Sequence, residues 1–163
     1  MADEEYLKIL RQGAKAWNRW RENTIRDMMR SEKSHRDFTH ILRPDFSGAD
    51  LRKTTLNYAD LRGADLRGAN LETIQLEASN LSGADLYEAN LSNRSNLKDI
   101  DLRDANLKRA NLYRANLGGA NLQRADLQDA DLRRANLGEA NLSTANLSGA
   151  KLHEAIELFP NKG

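Results

Sequence analysis

The chain contains no cysteine, only two prolines and few aromatic residues, which make up 6% of its 163 residues. The lack of cysteine excludes disulfide bonds, thiol chemistry and cysteine-ligated zinc sites. No apolar run is long enough to span a membrane, and the N-terminus reads Met-Ala-Asp-Glu-Glu, without the apolar stretch of a signal peptide. We therefore expect a cytoplasmic protein that makes no use of a membrane.

A large excess of charge of one sign is also missing. The formal net charge is +1, with 10 Lys and Arg against 7 Asp and Glu in residues 1–43, and 15 against 17 in residues 44–163. A nonspecific nucleic-acid binder needs a strong positive excess, and a mimic of nucleic acid needs a strong negative one. The charge balance disfavours nucleic acid as a partner.

The sequence does contain a five-residue repeat, Ala-(Asp/Asn)-Leu-x-x, whose central residues run from Phe46 to Leu152. The central residue is Leu in 21 of the 22 units, and Ala precedes it by two places in 16 of them. A fixed short period is typical of a solenoid, in which each unit needs its neighbours to bury an apolar face.

A period of five matches neither the 3.6-residue period of a helix nor the two-residue period of a long strand. It matches a three-residue strand followed by a two-residue corner, with Ala and Leu pointing inward and the Asp or Asn between them pointing outward. If each corner turns by about a right angle, four units close a coil of about twenty residues, and coils stack about 4.8 Å apart. The 22 units then form about five and a half coils.

The repeat is irregular in its first half. Leu91 and Leu97 are six residues apart, which predicts a bulged corner. Counted in fours from Phe46, the third wall lacks the preceding Ala in its first three units, and the fourth wall has Ser79 and Ile100 in that place. Three interpretations of these departures are open: sequence drift, a surface that accommodates the segment leading from the helices back to the repeats, or a surface that binds a partner. The partner surface would consist of Thr55, Tyr58, Gln75, Glu77, Arg94 and Lys98.

The N-terminal segment, residues 1–43, is predicted to be helical over 3–12 and 14–30, with a break at Gly13. The open end of a solenoid exposes a layer of Leu that must be covered. The large apolar residues of the two helices supply a predicted N-terminal cap made of Leu7, Leu10, Trp17 and Trp20.

The other end of the chain offers less to cover the solenoid. The repeat domain is predicted to span residues 44–153, followed by a tail at 154–163. In that tail Ile156, Leu158 and Phe159 leave the repeat register and either fold over the last coil or form an end-to-end dimer contact. We expect a monomer or an end-to-end dimer.

The sequence offers little catalytic chemistry. The acidic residues Asp45, Asp65, Asp85 and Asp126 fall on one wall, but Asn replaces Asp freely in that wall, which favours a solvated scaffold over catalysis or calcium binding. His35 and His40 are five residues apart and do not share a helical face, which disfavours a metal site. With no phosphate-binding loop and no converging Ser, His and Asp, we predict no enzyme activity, no cofactor, no metal and no small-molecule substrate.

The strings Ala-Asp-Leu-Arg-Gly, Ala-Asn-Leu-x-x and Asp45-Phe-Ser-Gly-Ala-Asp-Leu51 closely resemble the pentapeptide-repeat family. The string Trp17-Asn-Arg-Trp-Arg-Glu-Asn23 resembles the N-terminal segment of cyanobacterial members, although here Thr24–Arg43 separates it from the repeats. The resemblance implies an all-β solenoid, a right-handed quadrilateral β-helix, here of about five and a half coils with a small N-terminal α-helical cap.

Three functions follow as hypotheses. The first is a rigid scaffold for an unknown protein partner, as other solenoids provide. The second, implied by some family members, is a DNA mimic that binds type II topoisomerases such as gyrase; the weak charge of residues 44–163 and the corner residues Lys108, Arg109, Arg114, Arg133 and Arg134 disfavour it. The third, regulation of cyanobacterial development or stress, rests on the resemblance alone.

Overall fold

The computed structural model describes residues 2–30 and 42–156, and its only helices longer than one turn in these ranges lie at the N-terminus. Helix α1 spans Glu4–Leu10 and helix α2 spans Ala14–Arg30, which confirms the two predicted helices. The Asp3 carboxylate caps α1 by accepting from the backbone N–H of Glu5 at 2.9 Å. Neither helix is long and apolar enough to cross a membrane. His35 and His40 lie outside the described residues.

The repeat folds into four walls of parallel β-bridges, one bridge at the middle residue of each unit. Bridged residues are 20 apart in the sequence, or 21 apart across the irregular corner, so the predicted coil of four units is confirmed. Wall 1 contains Asp45, Asp65, Asp85, Asn106, Asp126 and Asn146; wall 2 contains Asp50, Asn70, Asn90, Asn111, Asp131 and Lys151; wall 3 contains Thr55, Gln75, Asn96, Asn116, Asn136 and Ile156; wall 4 contains Asp60, Asn80, Asp101, Asn121 and Asn141.

The interior of the stack is filled by the two inward residues of each unit. From Phe46 to Leu137 every central residue is 2% exposed or less. The inward place two residues earlier is also buried where it holds Ile74, Ser79, Ser95 or Ile100 in place of Ala. Ser79 and Ser95 donate their hydroxyl groups to backbone carbonyls, so the two polar residues are satisfied inside the apolar stack.

Each corner is a tight turn with a left-handed residue. The carbonyl of the central residue accepts from the N–H three residues later, as between Leu112 and Ala115 at 2.9 Å. The third residue of this turn has positive φ, which type II turns require. Glycine fills that place at Gly119 (φ +68), where a Cβ would come within 2.2 Å of the Asp99 carboxylate. Most units place a larger residue there, such as Arg114 (φ 60), at a cost of about 1 kcal/mol.

The Asp or Asn at the middle of a unit holds the following corner in place. In all 19 units that carry Asp or Asn there, Oδ1 accepts from the backbone N–H two residues later, at 2.8–3.3 Å. Asp and Asn both have this oxygen at the right distance for such a turn. Their free exchange in the sequence therefore reflects a shared backbone contact.

The extra residue between Leu91 and Leu97 forms the predicted bulge. Asn93 and Arg94 are both left-handed, with φ 60 and φ 68, whereas a regular corner has one left-handed residue. Both still donate to the next coil, to the carbonyls of Tyr113 and Arg114. The insertion is absorbed within one corner, and the bridge from Gln75 to Asn96 restores the wall.

The register continues further than the sequence predicts at the C-terminal end. Ile156 bridges Asn136 as the middle residue of another unit on wall 3 and is 56% exposed, so the expectation that it leaves the register was wrong. The hydrophobic pattern misleads here because an apolar residue stands in an outward place. The central residues Leu142, Leu147 and Leu152 are partly exposed. Leu158 and Phe159 lie outside the described residues.

The corner contact can be tested at Asn121, whose Oδ1 accepts from the Gln123 N–H at 3.2 Å. We expect Asn121→Ala to lower the free energy of unfolding by about 0.5–1.5 kcal/mol, because the N–H loses its partner. Asn121→Asp keeps the acceptor and should cost less. Urea denaturation of both variants measures the difference, and equal losses would contradict the role of Oδ1.

Candidate interaction surface

Five of the outward carboxylates are neutralised by an arginine two residues later. The arrangement occurs wherever the sequence reads Asp-Leu-Arg, and in each pair the guanidinium nitrogen Nη2 lies 2.5–2.7 Å from Oδ2 of the carboxylate. The pairs are Asp50–Arg52, Asp60–Arg62, Asp65–Arg67, Asp101–Arg103 and Asp131–Arg133. Exposed pairs of this kind add little stability, because water and salt screen them, so their main effect is on surface charge.

The pairs keep both partners charged at neutral pH. The side-chain hydrogen bonds from Arg52 lower the pKa of Asp50 to about 2. Hydrogen bonds from the paired arginine also lower the pKa of Asp65, Asp101 and Asp131 below the ordinary value of 3.8. Because these folded-state pKa values are depressed, the pairs are complete above the ordinary carboxylate pKa of 3.8 and are lost only as the pH falls below it, which for Asp50 occurs at about pH 2.

The two helices meet the first coil through an apolar contact. Leu7, Leu10 and Trp17 are buried in one cluster with Phe46, and Trp20 is partly buried against it. The rings of Trp17 and Phe46 meet edge-on, with 5.4 Å between their centroids. The structure thus brings together the four residues of the predicted N-terminal cap.

Side chains of α2 also bond to the backbone of the first coil on wall 4. Within the stack, a middle residue donates its N–H to a carbonyl of the preceding coil, as Asn80 does to Ala59 at 2.9 Å. At Asp60 the side chain of Asn18 takes that place, with its Oδ1 accepting from the Asp60 N–H at 2.8 Å. The Trp17 Nε1–H donates to the Asp60 carbonyl at 2.7 Å. The helix therefore continues the hydrogen-bonding pattern of the wall.

Arg21 extends this contact to the next corner. Its side chain is 4% exposed, its Nη2 donates to the Arg62 carbonyl at 2.9 Å, and its Nε lies 3.4 Å from the Asp60 carboxylate. Burial lowers the pKa of Arg21, and the Asp60 carboxylate opposes that shift. Asn18 and Arg21 were not predicted to take part in this contact. Their positions in the helix could have indicated this role, because Asn18 adjoins Trp17 and Arg21 lies one helical turn after Trp17 on the same face.

The predicted partner surface lies on wall 3 and at both of its edges. Thr55 and Gln75 are stacked middle residues of the wall. Tyr58, Glu77 and Lys98 lie at the corners that follow it, and Tyr58 is 68% exposed. Arg94 lies at the bulged corner that precedes the wall, so the structure separates it from the other five residues.

The polar groups of wall 3 are largely satisfied within the wall. Gln75 is too long to hold its corner as Asp or Asn does, and Asn57 of the preceding coil accepts from the Glu77 N–H instead, at 2.9 Å. The Glu77 carboxylate accepts from the Asn96 side chain at 3.1 Å, and Lys98 Nζ lies 3.8 Å from the Asp99 carboxylate. The middle of wall 3 and the edge that follows it are thus nearly neutral.

No group of three His, Asp or Glu side chains within residues 2–30 and 42–156 could hold a metal ion. The carboxylates of wall 1 are stacked as predicted, from Asp45 through Asp65 to Asp85. Their Oδ1 atoms are engaged with the backbone of their own corners. Arg67 also lies between two of them, 2.5 Å from Asp65 and 3.7 Å from Asp85.

The model of the pentapeptide repeats family matches eight copies, over residues 45–83, 71–93, 84–129 and 125–156. A comparison with curated proteins finds no match.

Matching solved structures include three pentapeptide repeat proteins. Rfr23 from the cyanobacterium Cyanothece 51142 is 32% identical over 66% of this chain and 82% of its own, with a TM-score of 0.36. The protein alr5209 from Nostoc Pcc 7120 is 33% identical over 78% of this chain and 88% of its own, with a TM-score of 0.22. A thylakoid lumen protein from Arabidopsis thaliana is 26% identical over 72% and 70%, with a TM-score of 0.39. Since the family model matches well over half of the residues, the chain belongs to the pentapeptide repeat family.

Proposed function

We propose that this protein is a non-enzymatic, rigid scaffold that binds a protein partner on the outer walls of a right-handed quadrilateral β-helix of about five and a half coils. Pentapeptide repeat proteins are generally structural or interaction proteins, which supports the proposal. A cytoplasmic location stays a prediction.

The observation that carries the proposal is the pairing of Asp with Arg along the walls. The inward places are filled by Ala and Leu, so a ligand meets only middle and corner residues. The middle carboxylates of Asp50, Asp60 and Asp101 are each covered by a guanidinium of the same unit. What remains is a rigid surface of mixed charge, and such surfaces suit protein recognition better than a uniform field does.

We further propose three functional parts for the chain. Residues 1–43 are the N-terminal cap and connecting segment, residues 44–153 are the repeat domain, and residues 154–163 are a C-terminal cap or tail. The cap would protect both the Leu layer and the backbone edge of the first coil, through Trp17, Asn18 and Arg21. An unprotected edge of parallel bridges is a template for association with a second chain.

The cap can be tested with Trp17→Ala. We expect it to lower the free energy of unfolding by about 3–5 kcal/mol, because a fully buried ring is removed from the apolar cluster. Lys15→Ala, an exposed change on the same helix, should stay within about 0.5 kcal/mol of the wild type. A chain without residues 1–30 should form aggregates or abnormal dimers in size-exclusion chromatography with light scattering. A truncated chain that stays monomeric and equally stable would show that the helices are an independent module.

A DNA mimic that binds gyrase is the second candidate, and the paired walls disfavour it. A mimic needs rows of uncompensated carboxylates that produce a strong negative potential. Here Arg67 lies within 3.7 Å of two wall 1 carboxylates, and Lys108 lies 3.0 Å from Asp126 on the same wall. Regulation of cyanobacterial development or stress has no particular surface feature in its favour and stays a hypothesis.

We therefore expect the purified protein to leave gyrase supercoiling unchanged up to about ten micromolar, because it lacks the field that would steer it to a DNA-binding groove. A supercoiling assay on plasmid DNA measures this, with a strongly acidic pentapeptide repeat protein as the positive control. Inhibition that weakens as salt is added would place the mimic ahead of the scaffold.

The scaffold is tested by wall-dependent capture of a partner. The immobilised full chain is exposed to a lysate of the native host, beside folded variants with two charge-reversing corner substitutions on one wall at a time. We expect one protein to be retained by the wild type and lost from a single variant, since a specific interface covers a limited patch. Retention that is the same for every variant, or retention of nucleic acid alone, would contradict the proposal.

A further inference from the structure

Wall 2 differs from the other walls in the residues along its two edges. Its middle residues Asn90 and Asn111 are small and neutral. The corners before the wall carry Tyr87 and Arg109, and the corners after it carry Tyr113 and Arg114. A flat strip of Asn is thus bordered on both sides by tyrosine and arginine.

The tyrosines on the two edges are held by neighbouring guanidinium groups. Arg109 donates from Nη1 to the Tyr87 hydroxyl at 2.9 Å, and its Cζ lies 5.8 Å from the ring centroid. Tyr113 lies under two cations, with the Cζ atoms of Arg114 and Arg133 at 5.2 and 5.7 Å from its centroid. These cation–π contacts fix both rings without burying them.

The edge after wall 2 forms an arginine ridge that runs along the stack through Arg94, Arg114, Arg133 and Arg134. Its corners are joined by backbone bonds from Arg94 N–H to the Arg114 carbonyl and from Arg114 N–H to the Arg133 carbonyl, both at 3.1 Å. The corner backbones of Arg94, Arg114 and Arg133 therefore lie one coil apart, at about the interstrand distance of 4.8 Å, and Arg134 shares the corner of Arg133. The backbone of the ridge cannot move these arginines apart, because each corner is held by the next coil.

The charges of the ridge are only partly compensated. Arg133 lies 2.6 Å from the Asp131 carboxylate, and Arg134 lies 2.6 Å from Glu154. Within residues 2–30 and 42–156, no carboxylate lies at ion-pair distance from Arg94 or Arg114, and both side chains are exposed. Two like charges one coil apart repel each other, so an anion bound between them would be stabilised.

We propose that the arginine ridge, together with Tyr113 and the Asn strip of wall 2, binds an acidic segment of a protein partner. This inference rests on the proposed scaffold function and names the site and the charge of the partner. Guanidinium groups bind carboxylates in a two-pronged manner, and Arg and Tyr are enriched among the residues that dominate binding energy. The backbone of the ridge is already ordered by the coils, so the corners lose little backbone entropy when a partner binds.

The same features favour a protein over a single-stranded nucleic acid. Nucleic acids bind through bases stacked on open aromatic faces and through many phosphate contacts. The ring of Tyr113 is already contacted by two guanidinium groups. Along the ridge four arginines are opposed by Asp131 and Glu154, which leaves too few free cations for a long row of phosphates.

The experiment measures binding of a fluorescein-labelled decapeptide of alternating Glu and Gly to the full chain by anisotropy at low salt. The comparison probes are a Gln-Gly decapeptide and a ten-residue oligothymidylate. We expect the acidic peptide to bind, and the double variant Arg94→Gln/Arg114→Gln to lose affinity about tenfold or more. The matched control, Lys15→Gln/Arg19→Gln on α2, removes the same charge and should change affinity by less than about twofold. Circular dichroism and the thermal midpoint establish that both variants are folded.

The proposal would be overturned by equal binding of the acidic and neutral peptides, or by equal losses in the two double variants. Tighter binding of the oligothymidylate with the same dependence on Arg94 and Arg114 would instead assign the ridge to nucleic acid. A captured partner that is lost from wall 3 variants but not from Arg94→Gln/Arg114→Gln would contradict the proposed binding site on the ridge. It would leave the proposed scaffold function intact. If the acidic peptide binds the ridge but no partner depends on any wall, the binding site on the ridge is supported and the proposed scaffold function is contradicted.

Discussion

The fold depends on the backbone bonds that join each unit to the unit one coil later. A unit contributes one bridged residue and two inward side chains, which is far too little to fold by itself. The bonds recur with little variation, as from Leu112 to Asp131 at 2.8 Å and from Leu117 to Asn136 at 2.8 Å. Because this stacking fixes every corner, a surface residue at a corner has a nearly fixed neighbour above and below it.

A stack of this kind has a weakness at each end, where the bonds have no further coil to meet. At the first coil, the side chains of Trp17, Asn18 and Arg21 bond to backbone groups of the Asp60 unit and of Tyr58. A helix cannot pair with a strand edge through its own backbone, since its N–H and C=O groups are used internally. The polar groups of the Trp17, Asn18 and Arg21 side chains make these bonds instead, beside the Trp17 ring that covers the Leu layer.

The sequence was sufficient for those features that depend on period alone. The inward Leu and Ala, the bulge at Arg94 and the two helices follow from spacing and are present. The coil of four units is also present, but it was implied by the family resemblance and not by the period alone. The corner bonds of Asp and Asn were not foreseen, since their alternation with inward residues looks like ordinary surface polarity. Asn18 and Arg21 could not be assigned, because their role depends on which backbone groups are left open. The prediction that Ile156 leaves the repeat register was wrong, because its hydrophobicity suggested burial although its place in the unit faces outward.

These constraints limit where a function can reside in this protein. Inward places are fixed by packing, and middle places are fixed by the bond that Asp or Asn makes to the corner. The corners are therefore the freest positions of each unit, and their composition decides the character of a wall. In a unit with Asp in the middle place and Arg in the first corner place, as in Asp101-Leu102-Arg103, the two charges form an ion pair and the unit has no net charge from them. Where Arg follows Asn, as at Arg114 in the Asn111 unit, the cation has no carboxylate of its own. Arg114 stands in the second corner place, and in the Asp131 unit the arginine of that place, Arg134, pairs with Glu154 of the next coil instead of with its own unit. The charge of this edge is therefore set by the corner residues and by their neighbours one coil away, without any change in the backbone.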